Sequence, residues 1–579
     1  MRIIVCATLL VPALLLAAPT QPATVLPYEG PVTGQPSPIA PAKTDGKFVI
    51  GVVDTIGGTT YDWQANGPAL RMLVNAPGSG IHALWMYSAD NTTGYPDRNM
   101  RYNFYDVAAH AWNWIDPDFM QSGVNVFTYR TGFGALDIDP RTGVAVASAH
   151  HATSAGLAPV VGRDMAPGAG IFEYCPGEPT IDNHAWAYPG VGSSGDIHLA
   201  MFDNVSQDYL RYSKTTDFVN WDPAVQIPAP QPEPMFPNHN IARSKTSGKL
   251  VITWEYSEGA PDPGFYRMST DAGVSWDNPV EIPWPPAFGA DTSTSYYITS
   301  LFPFFDKDDE FHVVANVMPY VAGQGYIIPA PMWHWSEANT PNWSLIATPT
   351  CDPANLLAAV GYNAMYACRP SMGEDANGNL FVAWEQFDSS NVEPGPPERL
   401  RADIFYSHSS DNGVTWVEPI KITDGGTVSH RFPCILDRVE DTVMVSYEID
   451  QYAGFFLYAE GPVSNNPIVV QKWANPYGGG VKAPTPKPLV AGVSVSPNPF
   501  TRETRLNYVV PRAGDVSLAV YDAGGRLVRT LASGSHEPGR YSAVWDGRTD
   551  LGRKLAAGVY LYKLTVGTEQ RSGRLVLAD

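Results

Sequence analysis

Two arginines and three glutamates recur at matching places in the chain. Three segments align closely: FPNHNIARSKTSGKLVITWEYS from Phe236, RPSMGEDANGNLFVAWEQF from Arg369, and RFPCILDRVEDTVMVSYEID from Arg431. Arg369 and Arg431 open two of them, and Glu255, Glu385 and Glu448 each follow a Trp or Tyr near the end. A guanidinium offers a planar fork of donors that matches a carboxylate in two bonds, so paired arginines suit an anionic ligand. The same residues equally suit internal work: a Glu after an aromatic residue can pair with an arginine of the next repeat or cap a turn. Tyr256 and Tyr447 join the candidates because each adjoins one of these glutamates. Arg71 is a further candidate for ligand contact.

Positioning these residues falls to a repeat. Each segment reads as a strand, a polar turn, and a second strand of alternating β-branched and aromatic residues. Weaker copies start at Gly67, Gly132, Ala187 and Ile298, which makes seven at a spacing near 60 residues. A period longer than a hairpin and built only from strands points to propeller blades of about four strands each. Seven blades are expected, with six the alternative if the Ala187 copy is an insertion. In such a ring the innermost strand starts on the top face and the second strand returns to it, so the repeat starts and ends meet around one funnel. Arg369, Arg431 and the glutamates should therefore converge. The N-terminal stretch KFVIGVVDTIG is expected to pair into the last blade and hide its edge.

Composition agrees with an all-β chain. Hydrophobic residues make up 44% and charged residues 16%, and 52 glycines and 53 prolines break up any long helix. A net charge of -21 disfavours nucleic acid and anionic membrane as partners. Residues 1–23 hold a signal peptide, with one arginine before an apolar run from Ile3 to Leu16, and a proline-rich stretch fills 24–46. No later run is long enough to span a bilayer, so the mature protein should be secreted or displayed at the cell surface. Cys351 and Cys368 flank one loop and are candidates for a disulfide, as are Cys175 and Cys434, with buried thiols the other reading. No metal and no cofactor is expected. His150 and His151 are strand neighbours that point to opposite faces, and DANGN from Asp375 reads as a hairpin turn, not a calcium loop.

The sharpest motif is S-x-D-x-G-x-[ST]-W, present as Ser269, Asp271, Gly273, Ser275, Trp276 and as Ser409, Asp411, Gly413, Thr415, Trp416, with a degraded copy from Ser213 to Trp221. Asp and Ser oxygens accept bonds from turn amides, Gly takes a positive φ, and Trp covers the blade. This resembles the Asp-box of the sialidase-type (BNR) propellers over residues 47–473, where the box is structural and lies away from the active site. The resemblance implies an arginine triad for a sugar carboxylate, an Asp acid/base, and a Tyr nucleophile activated by a Glu. That set is only partly present: Arg431-Phe432-Pro433 resembles the family's R-I-P motif but sits in the last copy, and no Asp is assignable as acid/base.

After a Gly/Pro linker (474–492) the charge balance changes, with 12 basic against 8 acidic residues in 493–579. Asn498-Pro499-Phe500, Tyr521-Asp522, Trp545-Asp546-Gly547 and Gly558-Val559-Tyr560 resemble the immunoglobulin-like modules of flagellar hook-capping proteins and of type IX secretion sorting signals. That resemblance implies a β-sandwich and secretion machinery as a partner. Three classes follow: a surface-displayed propeller binding a glycan or protein ligand in its funnel, favoured because the catalytic set is incomplete; an exo-sialidase-like hydrolase; and a structural envelope or adhesion component.

Overall fold

The computed structural model describes residues 36–43, 47–65, 68–154, 156–175, 183–204, 210–227, 238–255, 263–285, 295–321, 324–325, 330–351, 358–362, 364–478, 493–496, 498, 500–510, 512–522, 524–536 and 539–578. The signal segment, most of the linker and Tyr256 lie outside the described residues. Two compact units are present, residues 1–104 with 123–479, and 105–122 with 480–579.

The first unit is a propeller of seven sheets, antiparallel except where Glu374 and Asp375 of blade 6 pair in parallel with Arg438 and Val439. Its innermost strands are Leu73–Ala76, Leu136–Asp139, His184–Val191, Asn240–Arg243, Ser295–Phe305, Ala367–Asp375 and Ser429–Ile435, for blades 1 to 7 in order. Each pairs with the strand that follows it in the corresponding repeat copy, so the Ala187 copy is blade 3 and not an insertion. Neighbouring sheets cover both faces of the inner two strands of each blade, which explains the small and β-branched residues there: Val144–Ala149, on the second strand of blade 2, are all at most 9% exposed. Val52–Thr59 pairs with Asn466–Ala474 as the outer strand of blade 7, so the N-terminal segment closes the last sheet as expected. The ring is tied from blade 7 to blade 1 where the Met72 amide meets Cys434 Sγ (3.2 Å) and the Asn75 amide donates to Asp437 Oδ1 (2.9 Å).

The two S-x-D-x-G motifs form one hairpin geometry. Asp271 Oδ1 accepts from the Ser275 amide at 2.8 Å and Asp411 Oδ1 from the Thr415 amide at 2.9 Å. The Gly273 and Gly413 amides each donate to the motif serine at 2.9 Å. Both glycines have φ 75°, and both lie against the preceding blade: a Cβ on Gly413 would stand 2.3 Å from His334 Cε1, and one on Gly273 1.8 Å from the Tyr212 hydroxyl. Trp276 packs edge-on to Tyr212 and Trp416 edge-on to His334, so each tryptophan seals a joint between blades rather than only its own sheet. Beneath these joints lies a repeat the sequence reading missed. A buried histidine on the second strand of blades 1, 3 and 5 bonds a third-strand partner: His82 to Tyr102 (2.7 Å), His198 to Tyr212 (2.7 Å), and His312 to His334 (2.9 Å).

Residues of the C-terminal half of the second unit form two sheets, Val493–Ser496, Thr504–Val510 and Gly539–Trp545 in one, and Leu527–His536, Gly514–Tyr521, Gly558–Val566 and Glu569–Leu577 in the other. Leu506, Leu518, Trp545, Leu564 and Leu575 fill the core between them. The motif residues have structural roles here. Asn498 accepts the Val576 amide (2.7 Å) and donates to Arg574 O (2.9 Å), while Phe500 and Tyr560 pack on Trp545. Among the described residues no helix is long and apolar enough to cross a membrane.

Candidate ligand funnel

The inner strands do not run smoothly to the top face. Left-handed non-glycine residues stand just before or within five of them, at Phe133 (φ 51°), Trp186 (47°), Ser300 (58°), Arg369 (55°) and Phe432 (56°). Register shifts accompany the last four, between Ala185 and Tyr188, Thr299 and Phe302, Cys368 and Ser371, and Arg431 and Cys434. Such a bulge re-aims side chains, and a left-handed non-glycine residue is held there only where its surroundings over-determine it. In blades 6 and 7 the left-handed residue precedes a proline, Pro370 or Pro433, which has no amide to lose from the ladder. Bulges are thus concentrated at one level of the funnel wall.

At that level the structure brings Arg369, Arg431 and Glu385 together and turns them on one another. Arg369 NH1 is 2.5 Å from Glu385 Oε1, Arg431 Nε and NH2 are each 3.3 Å from the same oxygen, and the Phe432 amide donates to Oε2 at 2.7 Å. All three charged residues are at most 1% exposed. The Phe432 ring lies against both guanidiniums, 4.6 Å from Arg369 and 5.1 Å from Arg431. Burial by itself would raise the Glu385 carboxyl, but the charges of Arg431 and Arg369 outweigh it and hold the group below its ordinary range. Cys368 belongs to the same cluster, its thiol 3.2 Å from Glu385 Oε1 and pushed up to about 12 by burial first and the glutamate second.

The remaining candidates separate. Cys351 and Cys368 are thiols, as are Cys175 and Cys434, which corrects the expected disulfide; Cys368 is turned inward to Glu385. Arg71 lies deeper, beside a cavity it shares with Asp137, Arg243, Lys245, Asp437 and Arg438, because its carbonyl is at the level of Leu136, below the bulges. Glu255 accepts from Asn238 (2.5 Å) and from Thr299 (2.7 Å) in the next blade. Tyr447 donates its hydroxyl to Gln471 Oε1 at 2.8 Å, whereas Glu448 accepts from Asn466 at 2.7 Å. Successive strand residues face opposite sides of a sheet, so this tyrosine and this glutamate do not converge. His150 accepts the Trp186 amide at 3.1 Å, and His151 packs on Tyr129. Asp375 caps the amides of Asn377 and Asn379 in a turn.

Around the arginines lies a second group that the sequence reading did not single out. Asp62 sits on the loop before blade 1 and accepts the Phe456 amide at 2.8 Å. Burial pushes its carboxyl up to about 7. Glu448 and Asp450, at the end of the second strand of blade 7, are also raised, first by burial; the charges of Asp450 and Asp62 then raise Glu448, and the charge of Asp62 raises Asp450. Glu448 Oε2 and Asp450 Oδ2 are buried with no hydrogen-bond partner. Glu448, Arg369 and Phe432 border a cavity of about 30 Å³, room for a water molecule.

An aromatic cluster begins at the residue after Asp62, the buried Trp63, and ends in a partly exposed rim. Trp63, next to Asp62, lies 5.9 Å from Tyr362, 5.3 Å from Tyr458 and 6.0 Å from Phe455 between ring centres. Tyr362 and Tyr458 stack at 4.0 Å and are only half-buried. Glu460 ties the rim loops, accepting the amides of Tyr362 and Phe455 and pairing with Arg399 at 2.7 Å. These residues come from three loops that have no counterpart in the repeat, and the only signal for them was the overall richness in aromatics.

Residues 501–570 match the FlgD Ig-like domain. No curated protein matches the chain. Among solved structures, a PL25 ulvan lyase, a polysaccharide lyase, is similar at 11% identity and a TM-score of 0.46, over 73% of this chain and 96% of that one. A copper-bound fungal alcohol oxidase of the AA5 family shares 10% identity at a TM-score of 0.42, over 93% and 100%. The GH93 α-L-arabinofuranosidase of Fusarium graminearum, solved with arabinobiose, shares 12% at a TM-score of 0.30, over 63% and 93%. At such identities and scores nothing about the chemistry of this chain follows from them.

Proposed function

We propose that the protein is an exported, cell-surface propeller that binds a glycan at the mouth of its funnel without cleaving it. The observation that carries this reading is the partly exposed pair of Tyr362 and Tyr458, packed on the buried Trp63, which follows Asp62 in the chain, with the raised carboxyls of Asp62, Glu448 and Asp450 grouped together. Flat rings offer apolar faces to a sugar, and carboxyl groups bond its hydroxyls. An anionic sugar is a poorer match, since the donor forks of Arg369 and Arg431 are spent on Glu385. One observation favours glycoside hydrolysis as a second reading: a carboxyl that keeps its proton near neutral pH, as Asp62 does, is suited to general-acid work. Titration of a panel of neutral and acidic oligosaccharides, with release of reducing ends followed in parallel, separates the two. Binding without release supports the first reading.

The S-x-D-x-G hairpins serve this function only as braces, in keeping with the Asp-box resemblance. Residues 493–579 are assigned to export and anchoring. A chain ending at residue 492 is expected to keep the melting curve of the propeller and to be lost from the cell surface in fractionation. If it still reaches the surface, the module is a spacer and not a sorting signal.

A further inference from the structure

No metal is expected from the sequence, yet one turn in blade 5 departs from those of blades 1 and 3, the other two blades with the buried histidine. The turn between the first two strands reads NAPGSG in blade 1 and GSSGDI in blade 3, but FDKDDEF in blade 5. It therefore brings Asp306 and Glu310 to His312, the blade 5 member of the buried histidine repeat. The ligand-capable atoms of these three residues all lie within 4.8 Å of one another.

Proton positions decide what that group needs. His334 Nδ1 is 3.1 Å from Gly413 O, which only accepts, so this nitrogen carries a hydrogen. A neutral His334 then presents a lone pair at Nε2, and His312 Nδ1, 2.9 Å away, donates to it. This leaves His312 Nε2 bare on a fully buried ring with no hydrogen-bond partner, 3.4 Å from Asp306 Oδ2. Two lone pairs face each other, with a second carboxylate beside them. Either a proton or a cation must stand between. Asp306 Oδ1 is already occupied by the amides of Asp308 (3.0 Å) and Glu310 (2.7 Å), and Glu310 Oε2 by Asn412 Nδ2 (2.7 Å). These bonds orient the carboxylates, while the His334 relay fixes the ring of His312, as outer partners do around a bound metal.

We propose that Asp306, Glu310 and His312 hold a divalent cation of the zinc class. One imidazole nitrogen and two carboxylate oxygens suit zinc better than magnesium or calcium, which favour all-oxygen shells. The ion would lock the blade 5 turn to the blade 6 hairpin, since Asn412 and Gly413 both belong to that hairpin.

The test uses the full chain after chelation and dialysis, with zinc, cobalt or magnesium added back. One equivalent of zinc should raise the melting temperature, cobalt should give a visible absorption band saturating at one equivalent, and magnesium should do neither. Glu310→Gln should melt with the chelated wild type and bind zinc about 10- to 100-fold more weakly. Unchanged melting with zinc and a featureless cobalt spectrum would show that a proton occupies the gap as a His312–Asp306 ion pair. Equal zinc affinity in Glu310→Gln would place the ion elsewhere. Either result overturns the assignment.

Discussion

Replacing Glu385 by alanine is expected to lower the unfolding free energy of the propeller by about 3–5 kcal/mol, the usual consequence of stripping one partner from a buried charge cluster. Two guanidiniums at 1% exposure would be left facing each other with no anion between them. Replacing all three residues together, with Leu at 385 and Met at 369 and 431, is expected to recover most of the loss, because no buried charge is then left uncompensated. Urea unfolding of the two variants checks this. A Glu385→Ala protein with an unchanged midpoint and lost ligand binding would instead move the cluster from the frame to the binding site.

The second large effect concerns pH. Asp62 is raised to about 7 in the folded chain, against about 3.9 for an unperturbed Asp. Between those values the folded state keeps a proton that the unfolded state has released, so stability falls as pH rises from 4 through 7. Glu448 and Asp450 are raised and act in the same direction. Opposing them are Glu385, Asp137 and Asp437, whose lowered values contribute stability above their unfolded range that is lost in acid. Maximum stability is therefore expected near pH 5. Asp62→Asn keeps an acceptor for the Phe456 amide and removes the charge. It should match the wild type at pH 5 and exceed it at pH 8 by on the order of 2–4 kcal/mol. Urea unfolding at the two pH values is the measurement. Equal destabilisation at both would mean that Asp62 is ionised and paired with Arg431.

Much of this frame was legible in the residues. The blades could be read because the second strands alternate and, in blades 4, 6 and 7, end in Trp-Glu or Tyr-Glu, and the meeting of Arg369, Arg431 and Glu385 followed from where strands start and end in a ring. What escaped was local. The bulges at Arg369 and Phe432 leave Arg71 at a different depth from the other two arginines, and no periodicity announces a bulge. Tyr447 adjoins Glu448 in sequence but faces Gln471, since neighbours on a strand point apart. Asp62, Trp63, Tyr362 and Tyr458 lie on loops unique to their positions, so no repeat marks them. Cys351 and Cys368 looked like loop partners because spacing says nothing of the buried carboxylate that holds Cys368.

The central claim, a glycan-binding rim without chemistry, is tested most directly by calorimetric titration of an oligosaccharide panel into the wild type and Tyr362→Ala, with reducing ends measured in the same samples. Tyr362 is half-buried, so its loss spares the core. Saturable binding by at least one neutral oligosaccharide is predicted, weakened at least about tenfold, or ~1.4 kcal/mol, in Tyr362→Ala, with no new reducing ends. Binding that ignores Tyr362, or reducing ends that accumulate with time, would contradict it.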